Sequence, residues 1–133
     1  MVVRVKEFLI DDLRIDVTLA AGRMRLDWMG NGRIQDGSVA LAPFLEKVTR
    51  DALQARAGLE VHIERMQFCN SATLAAVVRF VKCVADQSVD LEVVFEPRHR
   101  WQQVLAETLA MFDRKNGRLR LQPLGEGPPS SLR

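Results

Sequence analysis

Glu60, His62 and Glu64 are the first residues in this sequence with the types and spacing for chemistry, because positions two apart on a strand share one face. An imidazole between two carboxylates could serve as an acid–base cluster or supply metal ligands. Three neighbours on one open strand face enclose no pocket, however, and a further donor would have to come from another strand. The trio therefore reads as a solvated face. His99, between Arg98 and Arg100 at the start of a helical stretch, reads as a cap or an exposed residue. Cys69 precedes a helix start, where a thiolate can be stabilised, yet sequence places neither histidine as its base. Cys69 and Cys83 lie too far apart along one helical rod to be bridged, and read as small hydrophobes of a reducing compartment. Gly30-Asn31-Gly32 lacks the trailing glycine and following lysine of a phosphate-cradling loop. No catalytic residue, metal or cofactor is expected, and the chain does not read as an enzyme.

One hydroxyl stands apart. Asn70-Ser71-Ala72-Thr73-Leu74 opens a long helix directly after a strand, and this places Ser71 at the positive end of a helix dipole. Ser71 is either an ordinary N-cap or a phosphate acceptor whose phosphate the helix end would partly stabilise.

The elements that must position these residues follow from periodicity. Val3 and Val5 alternate with Arg4 and Lys6. Leu13, Ile15, Val17 and Leu19 alternate with Arg14, Asp16 and Thr18, and Met24, Leu26 and Trp28 with Arg23, Arg25 and Asp27. Ala21-Gly22 makes a hairpin of the second and third strands. Gly30-Asn31-Gly32 breaks the pattern. A first helix carries Leu41, Phe44, Leu45, Val48 and Ala52 inward, with Pro43 in its first turn and Gly58 at its end. After the strand Leu59 to Arg65, a second helix runs from about Ser71 to Asp86. Its inward arc is Leu74, Val77, Val78, Val81, Val84 and Ala85. A flank of Thr73, Ala76, Phe80 and Cys83 either packs on a neighbouring helix or forms an exposed partner surface beside Ser71. A strand at Val89 to Glu96 stops at Pro97. A third helix from His99 to Asp113 turns Trp101, Val104, Leu105, Leu109 and Phe112 inward. A turn at Asn116-Gly117 precedes a last strand with Leu119 and Leu121.

Strands alternating with helices imply right-handed crossovers and a mixed, mostly parallel sheet. The strands alternate in polarity instead of being apolar throughout, so the helices are expected on one face only. At 133 residues, 47% hydrophobic and 27% charged, the chain suits a single globular α/β domain over 1–122, with a flexible tail over 123–133. A net charge of +2 with scattered basic residues argues against nucleic acid. No membrane-length apolar run occurs, and Met1-Val2-Val3-Arg4 does not open a signal peptide, so a cytoplasmic protein is expected.

The run Leu59-Glu60-Val61-His62-Ile63, then Met66-Gln67-Phe68-Cys69-Asn70-Ser71-Ala72-Thr73-Leu74, then Val77-Val78-Arg79-Phe80-Val81 resembles the central segment of STAS domains, the family of bacterial anti-sigma factor antagonists. The resemblance covers about Leu13 to Gln122 and implies a single-sided (βα)n superhelix. In that family the loop reads aspartate, serine, serine or threonine, glycine, leucine, and the first serine is phosphorylated by a kinase that is also the anti-sigma factor. Ser71 falls on that serine and Leu74 on the leucine, while Asn70, Ala72 and Thr73 depart from the pattern. The resemblance implies a phosphorylation switch at Ser71, a partner surface of Asn70, Ser71, Thr73, Ala76 and Phe80, and as partners a serine/threonine kinase of the anti-sigma type with a matching phosphatase. The alternative is a STAS module that works without phosphorylation, as a small-ligand sensor or scaffold.

Overall fold

A computed structural model describes residues 2–35, 37–87, 89–111 and 118–125. Three strands, β1 (Val3–Ile10), β2 (Leu13–Ala20) and β3 (Arg23–Gly32), form an antiparallel meander. Then follow α1 (Gly37–Ala55), β4 (Gly58–Cys69), α2 (Ser71–Asp86), β5 (Leu91–Phe95), α3 (Arg100–Ala110) and β6 (Leu119–Pro123). The last three strands add in parallel, giving one mixed six-stranded sheet in the order β1-β2-β3-β4-β5-β6.

The alternation has the expected result. Leu13, Ile15, Val17, Met24, Leu26, Trp28, Leu59, Val61, Ile63, Leu91, Val93 and Leu119 all lie on one face, in one core with residues of all three helices. Burying a dozen large side chains, at about 1.5–3 kcal/mol each, is what holds the helices there. The other face is mostly charged; Val94 is an exception and is buried.

Three register shifts change what simple alternation predicts. The β1–β2 register shifts between Arg4 and Lys6, so the inward residues are Val3, Lys6 and Phe8, not Val3 and Val5. Lys6 meets Asp51 of α1 at 3.3 Å, and the ring of Phe8 lies 4.9 Å from that of Phe44. In β3 the Gly30-Asn31-Gly32 segment, where the alternation breaks, still belongs to the strand, with register shifts against β4 at Asp27/Met29 and at Gly30/Asn31. Gly30 has φ +92, and a Cβ there would run into the Asp12 carbonyl oxygen, so no side chain fits.

The helices differ in detail from expectation. α1 begins earlier than Pro43 suggests, leaving this proline inside the helix. It ends at Ala55, and Arg56 beyond it takes a left-handed φ of +53 while Ala57 N–H bonds to Ala52 O at 2.9 Å, so Gly58 belongs to the next strand. In α3 the buried residues are Gln102, Leu105, Ala106 and Leu109, whereas Val104 is exposed. β6 runs on to Pro123, one residue into the stretch read as tail. Phe112, the helix end at Asp113, the Asn116-Gly117 turn and the tail beyond Gly125 lie outside the described residues. Among the described residues no helix is long and apolar enough to cross a membrane.

Candidate functional site: the N-terminus of α2

The parallel strands β3 and β4 end side by side, and α2 starts there. The N-cap is Asn70, not Ser71: Thr73 N–H donates to Asn70 Oδ1 at 2.9 Å, and Leu74 N–H to Asn70 O at 2.9 Å. Asn70 ranks with serine as a cap, and its position before the helix was the signal for it. The same amide donates from Nδ2 to Ile34 O at 3.2 Å, while Asn70 N–H donates to Gly32 O at 2.7 Å. Thr73 completes the stitch. It is fully buried, its Oγ1 accepts from Ile34 N–H at 3.3 Å, and its methyl lies where a Cβ on Gly32 would approach to 2.8 Å. An aspartate at position 70 could not donate to the Ile34 carbonyl, and a glycine at 73 could not accept from its N–H. Two of the three departures from the STAS loop pattern, Asn70 and Thr73, are thus one matched set that fastens the end of β3 to α2.

Ser71 has the opposite character. It is exposed in the first turn, and among the described residues no hydrogen bond holds its hydroxyl. With Thr73 and Leu74 N–H taken up by Asn70, the first-turn donors left open are those of Ser71 and Ala72. At the end of β4, two residues before the Asn70 cap, Phe68 is 45% exposed and carries the Arg33 guanidinium 5.3 Å from its ring centre. Trp101 of α3 donates its indole N–H to Gln67 O at 3.3 Å, bracing this segment from the other side. Nothing in the residue pattern points to Arg33 or Phe68, because the pair forms only where the ends of two strands meet.

The rest of the expected partner surface is absent from the exterior. Ala76 and Phe80 are buried, at 4% and 5% exposure, like Thr73. The buried arc of α2 is Thr73, Ala76, Val77, Phe80, Val81 and Val84, rotated towards the flank, so that Leu74, Val78 and Ala85 become a half-exposed margin. The cause is α1, which packs along this flank. Of the flank only Cys83 stays exposed, at the rim of a groove of about 160 Å³ between the helices, lined also by Leu45, Thr49, Arg79 and Phe80.

The Glu60, His62 and Glu64 trio does assemble on the opposite sheet face. His62 Nε2 lies 3.1 Å from Glu60 Oε1 and Nδ1 lies 3.5 Å from Glu64 Oε2. The imidazole is only 11% exposed, so this part of the face is less open than a solvated one. Burial works against the charge on His62, but the flanking Glu64 and Glu60 outweigh it and raise its pKa above 6.5. Burial likewise opposes the charge on Glu60, and its bonds to His62 and Arg23 hold it below the ordinary carboxylate value. Arg23 also reaches Glu92 at 3.6 Å, and Arg25 binds Asp27 at 2.9 Å. The trio is therefore one stretch of a ladder of opposite charges, and among the described residues no group of side chains could hold a metal ion. Cys69, half-buried, has its thiol pushed up to about 12 by burial, the reverse of an activated nucleophile.

No model of a protein family matches this chain, and no curated protein matches it.

Proposed function

We propose that this chain is a STAS-type interaction module that docks a kinase of the anti-sigma type through the exposed first turn of α2, and that phosphorylation of Ser71 releases the partner. The observation that carries this reading is a contrast within one loop. Asn70 and Thr73 are fastened inward, and Ser71 alone presents an unengaged hydroxyl to solvent. The antiparallel meander continued by three parallel crossovers, each through one helix and all helices on one face, is compatible with the STAS reading and supports it.

The docking surface differs from the one that the resemblance implied. Ala76 and Phe80 serve the α1 contact. The exposed surface is instead Phe68 with Arg33, then Ser71, Ala75 and Arg79 at successive turns of α2. A phosphate adds about two negative charges at neutral pH. Facing the positive helix end and the open N–H groups of Ser71 and Ala72, it leaves the fold intact. A partner covering Phe68 would have to desolvate that phosphate, which is costly, and so it dissociates.

The test is capture of a purified, ATP-binding kinase of the host by wild type, Ser71→Ala and Ser71→Asp, with intact mass of the recovered bait. Capture by the first two but not the third, with one phosphate gained at Ser71 of wild type, is the expected result. Equal capture by all three without phosphate overturns the switch and leaves a scaffold that uses another face.

A further inference from the structure

The sheet has two edges, and they are not alike. β6 is five residues long and ends in proline, which blunts it against pairing. β1 is eight residues long without proline, and its outer side pairs with no described strand. It is also apolar outside: Val2 is 68% exposed, Leu9 66% and Val3 51%.

We infer that this edge is the contact between two copies of the chain, joined antiparallel through β1 so that the two sheets become one. The argument is self-complementarity. Consider the register in which Arg4 stands opposite the partner's Glu7. It then sets Val3 against the partner's Phe8 and Val2 against the partner's Leu9, with each relation repeated by the two-fold axis. Opposite residues of an antiparallel pair must point to the same face, and here they do. Val3 and Phe8, partnering Leu19 and Ile15, face the helices. Arg4 and Glu7, partnering Thr18 and Asp16, face the charged side. Val2 lines the depression on that charged side with Thr18 and Arg25, and Leu9, opposite Arg14, belongs to the same side.

The bulge makes this possible. In a regular strand, residues three apart lie on opposite faces. The shift between Arg4 and Lys6 restores Arg4 and Glu7 to one face, and the bulged residues of both copies meet at the two-fold axis. Edge charges usually deter pairing. Lys6 is turned inward to Asp51, and the remaining two are of opposite sign: within its own chain Arg4 lies 2.9 Å from Asp16 and 3.5 Å from Glu7, and Glu7 lies 3.2 Å from Arg14, so in the proposed register the second copy extends an existing charge ladder with no like charges opposed. The apolar exposure is thus covered by the same strand and by no arbitrary one.

Charge exchange tests this with the full chain. Sedimentation of wild type at high micromolar concentration should give about 30 kDa, twice the 15.0 kDa of one chain. Arg4→Glu alone and Glu7→Arg alone place like charges opposite each other, and each should halve that mass. When the two variants are mixed, the introduced glutamate of one chain faces the introduced arginine of the other, and the native Glu7 of the first faces the native Arg4 of the second. The dimer mass should then return. Recovery on mixing also shows that both variants are folded. A monomeric wild type, or single variants that stay dimeric, overturns the inference.

Discussion

Gln102 is the residue whose replacement the structure makes most quantitative. It is fully buried in α3, and its one amide serves three backbone groups: Oε1 accepts from Glu96 N–H at 2.7 Å, and Nε2 donates to Ile63 O at 2.8 Å and Met66 O at 2.9 Å. It thereby ties the irregular end of β4 to the exit from β5. Gln102→Met preserves volume and leaves all three without that partner. An orphaned buried group costs about 1–3 kcal/mol, the N–H more dependably than carbonyls with a second lone pair. The sum, reduced by local relaxation, is about 3–4 kcal/mol out of a total of roughly 5–15 kcal/mol for a domain of this kind. With a urea m-value of about 2 kcal/mol/M, the midpoint should fall by about 1.5–2 M at unchanged m. Gln102→Glu should be at least as damaging at neutral pH, because a carboxylate faces two carbonyls. It should recover in part as pH falls and the acid regains a proton to donate. A fall of less than about 0.5 M for Gln102→Met would refute the reasoning, since it would mean that the three groups had found other partners.

Two further outcomes follow from the titrating groups. The pKa of His62 is raised in the folded state, so the stability it adds is fully present below about 6.5 and is lost as pH rises through the higher folded value; the advantage of wild type over His62→Gln in urea unfolding should therefore shrink from pH 6 to pH 9. Cys83 is exposed whereas burial holds the Cys69 thiol at about 12, so a thiol reagent at pH 8 should label one cysteine quickly in the native protein, and two in urea.

Much of this molecule is visible in its alternating residues. Leu13, Ile15 and Val17 against Arg14 and Asp16 already specify a sheet covered on one side, and Ala21-Gly22, with φ of +52 and +76, makes the tight turn that the pattern demands. What escapes is whatever breaks a period or needs a distant partner. A bulge consumes one residue, so Lys6 reads outward until β2 is present to show the shift. Gln102 is not among the residues that periodicity turns inward in the third helix; its burial depends on carbonyls 36 and 39 positions earlier. The flank with Phe80 reads as packing on a neighbouring helix or as partner surface, and the path of α1 decides for packing. In the loop, Ser71 stands where it was expected, but Asn70 is the residue that caps. Its link to Ile34 runs across the start of another crossover, which local sequence does not contain.

The strand order, which repeats the order of the chain, bears on how the protein is made. Every strand pairs with the one synthesised before it, so no later strand must be threaded between two that have already joined. The closures are two-residue turns at Asp11-Asp12 and Ala21-Gly22 and three crossovers that each contain a single helix, and such short separations favour rapid folding. A chain leaving the ribosome can complete β1 to β3 before α1 exists, then extend the sheet one helix and one strand at a time. Throughout growth it has one finished edge, β1, and one advancing edge at which each new strand arrives with the helix that will cover it.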